Sequence, residues 1–183
     1  MEVLKKVYFL IYPGVVCREK HGSQRGRKLI ARYNELICDL GQGDALFIFP
    51  YPASYFFKMS LPNNEPWERF IDLVKSSPRV VTILYNDVVN DVGDIAETAH
   101  KVFQASLLAG YELPEEIESF VFGEHMLRIV LSAGQALNKS LLLEHKTKVL
   151  QDLCHYSSDE VGITNMKRYE KKYSRVECLI LAS

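Results

Sequence analysis

The sequence predicts an α/β protein: three layers, with a mostly parallel sheet of five to six strands and helices on both faces. Three observations predict it. Strand-like and helix-like patterns alternate from end to end of the 183-residue chain. Several strand-like runs are apolar at every position, which suits strands covered on both sides. No repeat, low-complexity tract or linker divides the chain, so a single domain over 1–183 is expected.

Each element has its own justification. "KKVYFLIY" (5–12) is a continuous apolar run closed by Pro13-Gly14, and reads as the first buried strand. The polar segment "REKHGSQRGRK" (18–28) reads as a loop. After it Leu29, Ile30, Tyr33, Leu36, Ile37 and Leu40 recur at helical spacing, with Gly41 as a C-terminal stop. "DALFIFP" (44–50) is a second strand, followed by an aromatic loop carrying Tyr51, Tyr55, Phe56 and Phe57. Pro66 opens a helix whose apolar stripe is Trp67, Phe70, Ile71 and Val74. "RVVTILY" (79–85) is a third strand, and a long helix follows it to Gly110. "IESFVFG" (117–123) is a fourth strand. Residues 124–141 form a helix apolar on much of its circumference, the mark of a buried helix. "TKVL" (147–150) suits a short strand or part of a helix over 141–154; the pattern leaves both open. Helix at the end of 158–174 and a last strand, "VECLILA" (176–182), complete the chain. The arrangement is Rossmann-like, and in such open sheets ligands bind beyond the carboxyl ends of the strands. The residues that directly follow 12, 50, 85 and 123 are therefore the places to search.

Composition narrows the function classes. The hydrophobic share is 48% and the charged share 25%, values of a globular chain that needs neither disulfide nor metal to hold a core. A net charge of -1 argues against bulk electrostatic coating of nucleic acid. Cys17, Cys38, Cys154 and Cys178 form no CxxC or other metal spacing. They sit in or beside apolar segments, where a free cysteine behaves as a small hydrophobe, so a reducing, cytoplasmic compartment is expected. The N-terminal apolar run has only about eight residues, too few for a bilayer that takes about 20. A soluble protein without a membrane partner is expected.

Three strand ends carry chemistry. "YNDVVNDVGD" (85–94) follows the third strand. Its valines fall in register with Ile95, Ala99, Val102 and Phe103, so the helix starts near Asp87. Asp91 and Asp94 then lie on its solvated face. Asn86 and Asp87 remain at the strand tip, either as a helix N-cap or as polar groups of a site. The segment after the first strand carries Arg18, Lys20, Arg25, Arg27 and Lys28 against the single acid Glu19, together with His21, Gly22 and Gly26. Small residues ahead of a helix start make an anion site, although neither GxGxxG nor GxxxxGK[ST] is present; the alternative is a solvated basic loop. After the fourth strand, Gly123, Glu124 and His125 form a strand-to-helix turn. A histidine there is a candidate general acid or base, and the alternative is a turn glycine, a glutamate meeting the helix dipole and a surface histidine. "KHGSQR" and "VFGEHMLR" resemble the two histidine segments of histidine phosphatases over a few residues. Lys20 replaces the arginine and Met126 the second glycine, and no family is assigned.

The expected function is binding of an anionic, phosphorylated or nucleotide-like small molecule at the strand ends. Arg18, Lys20, Arg25, Asn86, Gly123 and Glu124 would contact it, and His21, Asp87 and His125 would act if the protein is a hydrolase or transferase. No metal ligand set and no particular cofactor is indicated. Two other classes stay open. The aromatic loop 51–57 and the helix 124–141 suit a homo-oligomer or a partner contact. The basic, tyrosine-bearing segment 167–175 has the composition of a nucleic-acid contact, but Tyr169 and Tyr173 at i, i+4 more simply form the core stripe of a helix, so a nucleic-acid partner is not expected.

Overall fold

The computed structural model describes residues 2–14, 23–51, 53–59, 61, 65–83, 111–112, 117–124, 130–131, 133–134, 147–155 and 176–179. Six strands form one parallel sheet: β2 (Lys6–Ile11), β3 (Asp44–Phe49), β4 (Val80–Thr82), β6 (Glu118–Gly123), β7 (Thr147–Cys154) and β8 (Val176–Leu179), in the spatial order β4-β3-β2-β6-β7-β8. Two further strands, β1 (Glu2–Val3) and β5 (Tyr111–Glu112), pair with each other in a small parallel sheet that the sequence pattern does not announce. The expected α/β class is the observed one.

The runs "KVYFLI", "DALFIF" and "ESFVFG" form the sheet centre because apolar residues there are useful on both faces. The register pairs Leu10 with Ile48 and Phe122, while Phe9 pairs with Phe47 and Val121. All six side chains are at most 2% exposed, so the central strands are buried on both faces. On the face of Leu10, Ile48 and Phe122 lies helix α1 (Ser23–Asp39), whose Tyr33 ring meets Phe122 at 5.5 Å between centroids. Helix α2 (Glu65–Ser76) packs against α1, with Phe70 6.3 Å from Tyr33. Its buried residues are Trp67, Phe70, Ile71 and Val74, the stripe read from the sequence. Val130, Leu131 and Ala133 belong to a buried helical stretch. The helix expected over 87–110, most of that over 124–141 and the segment 158–174 lie outside the described residues.

Two boundaries differ from expectation. Helix α1 begins at Ser23, so residues 23–28 of the polar segment are helix rather than loop. Buried Leu29, Ile30, Tyr33 and Ile37 anchor it, and the polar residues extend it by a turn that costs little in water. The segment at 147–150 is strand, and it runs on to Cys154 through an irregularity. Val121 pairs with Val149, but Gly123 pairs with Cys154, so β7 carries three extra residues across that interval. The extra length brings the Leu153 carbonyl to the Tyr33 hydroxyl at 3.1 Å and the Asp152 carbonyl to the Arg32 guanidinium at 2.6 Å. Tertiary partners on α1 thus decide what the local pattern left open.

Candidate functional site

The chain runs β2, β3, β4 towards one edge of the sheet, then returns to β6 and continues β7, β8 towards the other. The chain therefore reverses direction across the sheet between β2 and β6, the point at which open α/β sheets commonly bind ligands. Four strand tips converge there in backbone hydrogen bonds. Tyr12 N–H donates to the Phe49 carbonyl at 2.8 Å, Glu124 N–H to the Ile11 carbonyl at 3.0 Å, and His155 N–H to the Gly123 carbonyl at 3.0 Å. Beyond them, Ile83 N–H donates to the Ile48 carbonyl at 2.8 Å.

The backbone around these tips is unusual. Tyr12 has φ 54°, the one non-glycine residue with positive φ among the described residues. A bulky residue in that region costs on the order of 1–2 kcal/mol, so its surroundings must hold it. Burial of its side chain and a ring contact with Tyr51, 5.1 Å between centroids, do so. Gly14 follows at φ 89° and lies directly on Trp67: a Cβ there would sit 2.5 Å from a ring carbon. Gly123, at φ 137°, passes so close to β2 that a Cβ would lie 2.1 Å from the Ile11 carbonyl oxygen. Glycine is required at this position because another backbone occupies the place of its side chain.

Glu124 stands where two of these tips meet. Its side chain is 0% exposed, and its Oε1 accepts the Gly14 backbone N–H at 2.5 Å, across 110 residues of sequence. A carboxylate is costly to bury, and a short bond from a backbone donor offsets part of that cost. The contact joins the loop after β2 to the tip of β6 over the point where the connections diverge. The side chain turns inward onto the neighbouring loop.

Of the other residues singled out in the sequence, Gly123 lies at these tips. Arg25 is exposed on the first turns of α1. Arg18, Lys20, His21, Asn86, Asp87 and His125 lie outside the described residues, as do Asp91 and Asp94. Two further residues stand at these strand tips, His155 and Tyr12. His155 is buried beside Gly123 because β7 takes three extra residues between the Val121 and Gly123 registers. Tyr12 was read as the last residue of a strand; the Pro13-Gly14 pair after it is the signal that the chain turns sharply there. The aromatic loop divides. Within a 3₁₀ turn (Ala53–Lys58), Phe56 enters the core against Trp67 and Phe70, whereas Tyr55 and Phe57 point outward, 53% and 38% exposed.

A second recess, about 220 Å³, opens between α1 and α2. It is lined by Ala31, Asn34, Glu35, Glu65, Pro66 and Arg69, which places one guanidinium among two carboxylates. Asn34 is fixed there by donating from Nδ2 to the Pro66 carbonyl at 2.8 Å. Among the described residues no group of three or more His, Cys, Asp or Glu side chains is arranged to hold a metal, and no helix is long and apolar enough to cross a membrane. No protein-family model matches the chain, and no curated protein or solved structure is significantly similar to it.

Proposed function

We propose that the protein is a soluble, cytoplasmic α/β domain that binds an anionic, phosphorylated or nucleotide-like small molecule at the β2 and β6 tips. The observation that carries this reading is the strand order. It places the divergence of the chain at β2 and β6, and the positive-φ positions Tyr12, Gly14 and Gly123 gather at that same point. Backbone held in costly conformations at strand ends is a feature of binding sites. The basic segment leaving β2 supplies the attraction: Arg18, Lys20 and Arg25 draw the anion, and Arg25 stands on the first turns of α1, where unpaired N–H groups favour negative charge. In this reading Asn86 and Gly123 contact the ligand and Glu124 fixes the geometry of the loops. His21, Asp87 and His125 are the acid/base groups if the ligand reacts by hydrolysis or group transfer.

The test is an amide-resolved NMR titration with inorganic phosphate, AMP and ADP. Shifts confined to the amides of Gly14, Gly123, Glu124 and the first turns of α1 are expected. Saturable shifts elsewhere, or none with any of the three, would discard the reading. A second reading, a protein contact or homo-oligomer through the aromatic turn, draws on exposed Tyr55 and Phe57. Light scattering of the wild type against a Tyr55→Ser, Phe57→Ser double variant decides it: a wild-type dimer that the variant loses supports the reading, and a monomer in both removes the homo-oligomer.

A further inference from the structure

The recess between α1 and α2 gathers charges and one buried acceptor that the chain itself does not use. Helix α1 contributes Ala31, Asn34 and Glu35, and α2 contributes Glu65, Pro66 and Arg69, so each wall is about one helical turn. Ala31 ends at its Cβ, which leaves room where the helices pack. Asn34 is 4% exposed, whereas Glu35, Glu65 and Arg69 are exposed; the amide therefore forms the floor and the charges the rim. Nδ2 of Asn34 donates to the Pro66 carbonyl at 2.8 Å. That bond fixes the orientation of the amide, because the reverse would set two oxygens against each other. Oδ1 of Asn34 is then left buried with no hydrogen-bond partner among the described residues. A buried acceptor left unmet is uncommon and costly, and a ligand donor that reaches it offsets that cost. The rim is equally open. Among the described residues no ion pair joins Arg69 to Glu35 or Glu65, and the Arg69 guanidinium makes a long contact with Cys38 Sγ, at 3.9 Å.

We propose that this recess binds the head group of a free α-amino acid. An ammonium has three N–H donors, and the recess has three acceptors for them: the Glu35 and Glu65 carboxylates and Asn34 Oδ1. The carboxylate of the same ligand takes the Arg69 guanidinium, whose forked donors match its two oxygens. A simple cation would meet the like charge of Arg69, and a simple anion would meet two carboxylates. A zwitterion satisfies all four groups at once. The volume of about 220 Å³ lies below the roughly 300 Å³ at which pockets for drug-sized molecules begin, and suits a small metabolite. The site stands on α1 and α2 and does not depend on the reading of the strand tips.

The experiment uses three probes of similar size: alanine, which carries both charges, ethylamine, which carries the ammonium alone, and propionate, which carries the carboxylate alone. Binding is followed by NMR through the Asn34 side-chain amide and the backbone amides of Glu35 and Arg69. Wild type is expected to bind alanine about tenfold more tightly than either fragment, the margin of one charge-assisted contact. Arg69→Gln should weaken alanine about tenfold and leave ethylamine no weaker. The double variant Glu35→Gln, Glu65→Gln should weaken alanine and ethylamine and leave propionate no weaker. All three positions are exposed, so these variants should fold. Asn34→Leu keeps the bulk of the side chain and removes the acceptor. It should weaken alanine and ethylamine but not propionate, a pattern that a purely structural Asn34 would not produce. Ethylamine bound as tightly as alanine, with Arg69→Gln without effect on either, overturns the amino-acid assignment in favour of a simple cation. No saturable response of these amides to alanine overturns it outright.

Discussion

The two edges of the sheet use the same contact for opposite ends. At the amino edge, Glu2 Oε1 accepts the N–H of Gly43 at 2.6 Å, and Gly43 has φ 86°. At the carboxyl edge, Glu124 Oε1 accepts the N–H of Gly14 at 2.5 Å, and Gly14 has φ 89°. The donors, acceptors and backbone twist match; the surroundings do not. Glu2 is half in water and shares its oxygen with the Arg79 guanidinium at 2.8 Å. Elsewhere on the amino edge, Lys148 and Glu118 pair at 3.0 Å on an exposed surface. Such contacts in water contribute little to stability. Glu124 is sealed from water, beside a tyrosine in a costly backbone conformation and a glycine pressed against a neighbouring strand. One edge closes a turn. The other holds a costly backbone conformation under cover.

Substitutions test that contrast. The largest effect is expected at Gly123→Ala, because the new Cβ would lie 2.1 Å from one Ile11 backbone atom and 2.8 Å from another, and backbone in a central strand pair does not yield. A loss of roughly 3 kcal/mol or more in urea unfolding follows; a loss below about 1 kcal/mol would mean that the β2 and β6 tips are less tightly joined than described. Gly14→Ala comes next, at roughly 2 kcal/mol, since positive φ and contact with Trp67 both oppose it, although an aromatic ring can shift where backbone cannot. A shift in tryptophan fluorescence should accompany the loss, as Trp67 is the single tryptophan of the chain.

Smaller effects come from titration. Burial pushes the Tyr8 phenol up to about 12, and the Asp44 and Glu118 carboxylates near the amino edge add to it. The folded form thus keeps its proton where the unfolded chain loses it. The stability this represents is present in full below pH 10 and is lost as pH rises towards 12. Ultraviolet titration of phenolate should show one tyrosine ionising late in wild type and not in Tyr8→Phe. The smallest effect belongs to Glu2, whose carboxyl is held below its ordinary range by the hydrogen bond from Arg79 and that from Gly43. Its contribution is present above pH 4.5 and fades as pH falls through the lowered value. Glu2→Gln should leave the neutral-pH midpoint nearly unchanged and flatten the loss of stability in acid; a large change at neutral pH would erase the difference between the two edges.

Much of the architecture is legible in particular residues. "KVYFLI" and "ESFVFG" could only be strands buried on both faces, because an amphipathic helix would leave half of those side chains in water. Trp67, Phe70, Ile71 and Val74 declare the inner face of α2 by spacing alone. The candidate site was less legible. The pattern marks the strand ends that carry Gly123 and Glu124, but not the bond between Glu124 and Gly14. Nothing local marks a glutamate whose partner lies 110 residues away. Nothing local places His155 at a strand tip, because the course of β7 depends on Tyr33 and Arg32 of α1, which donate hydrogen bonds to its irregular end.

The sequence by itself determined the central strands, their cover on both sides and the inner face of α2, because apolar periodicity is a property of neighbours in the chain. Only the tertiary structure decided the strand order, and with it that β2 and β6 lie side by side where the chain reverses direction across the sheet. It alone placed Tyr12 at positive φ, the Gly123 backbone against Ile11, and the Glu124 carboxylate on Gly14. Those choices depend on contacts between distant segments, whose energies appear only once the sheet has closed around them.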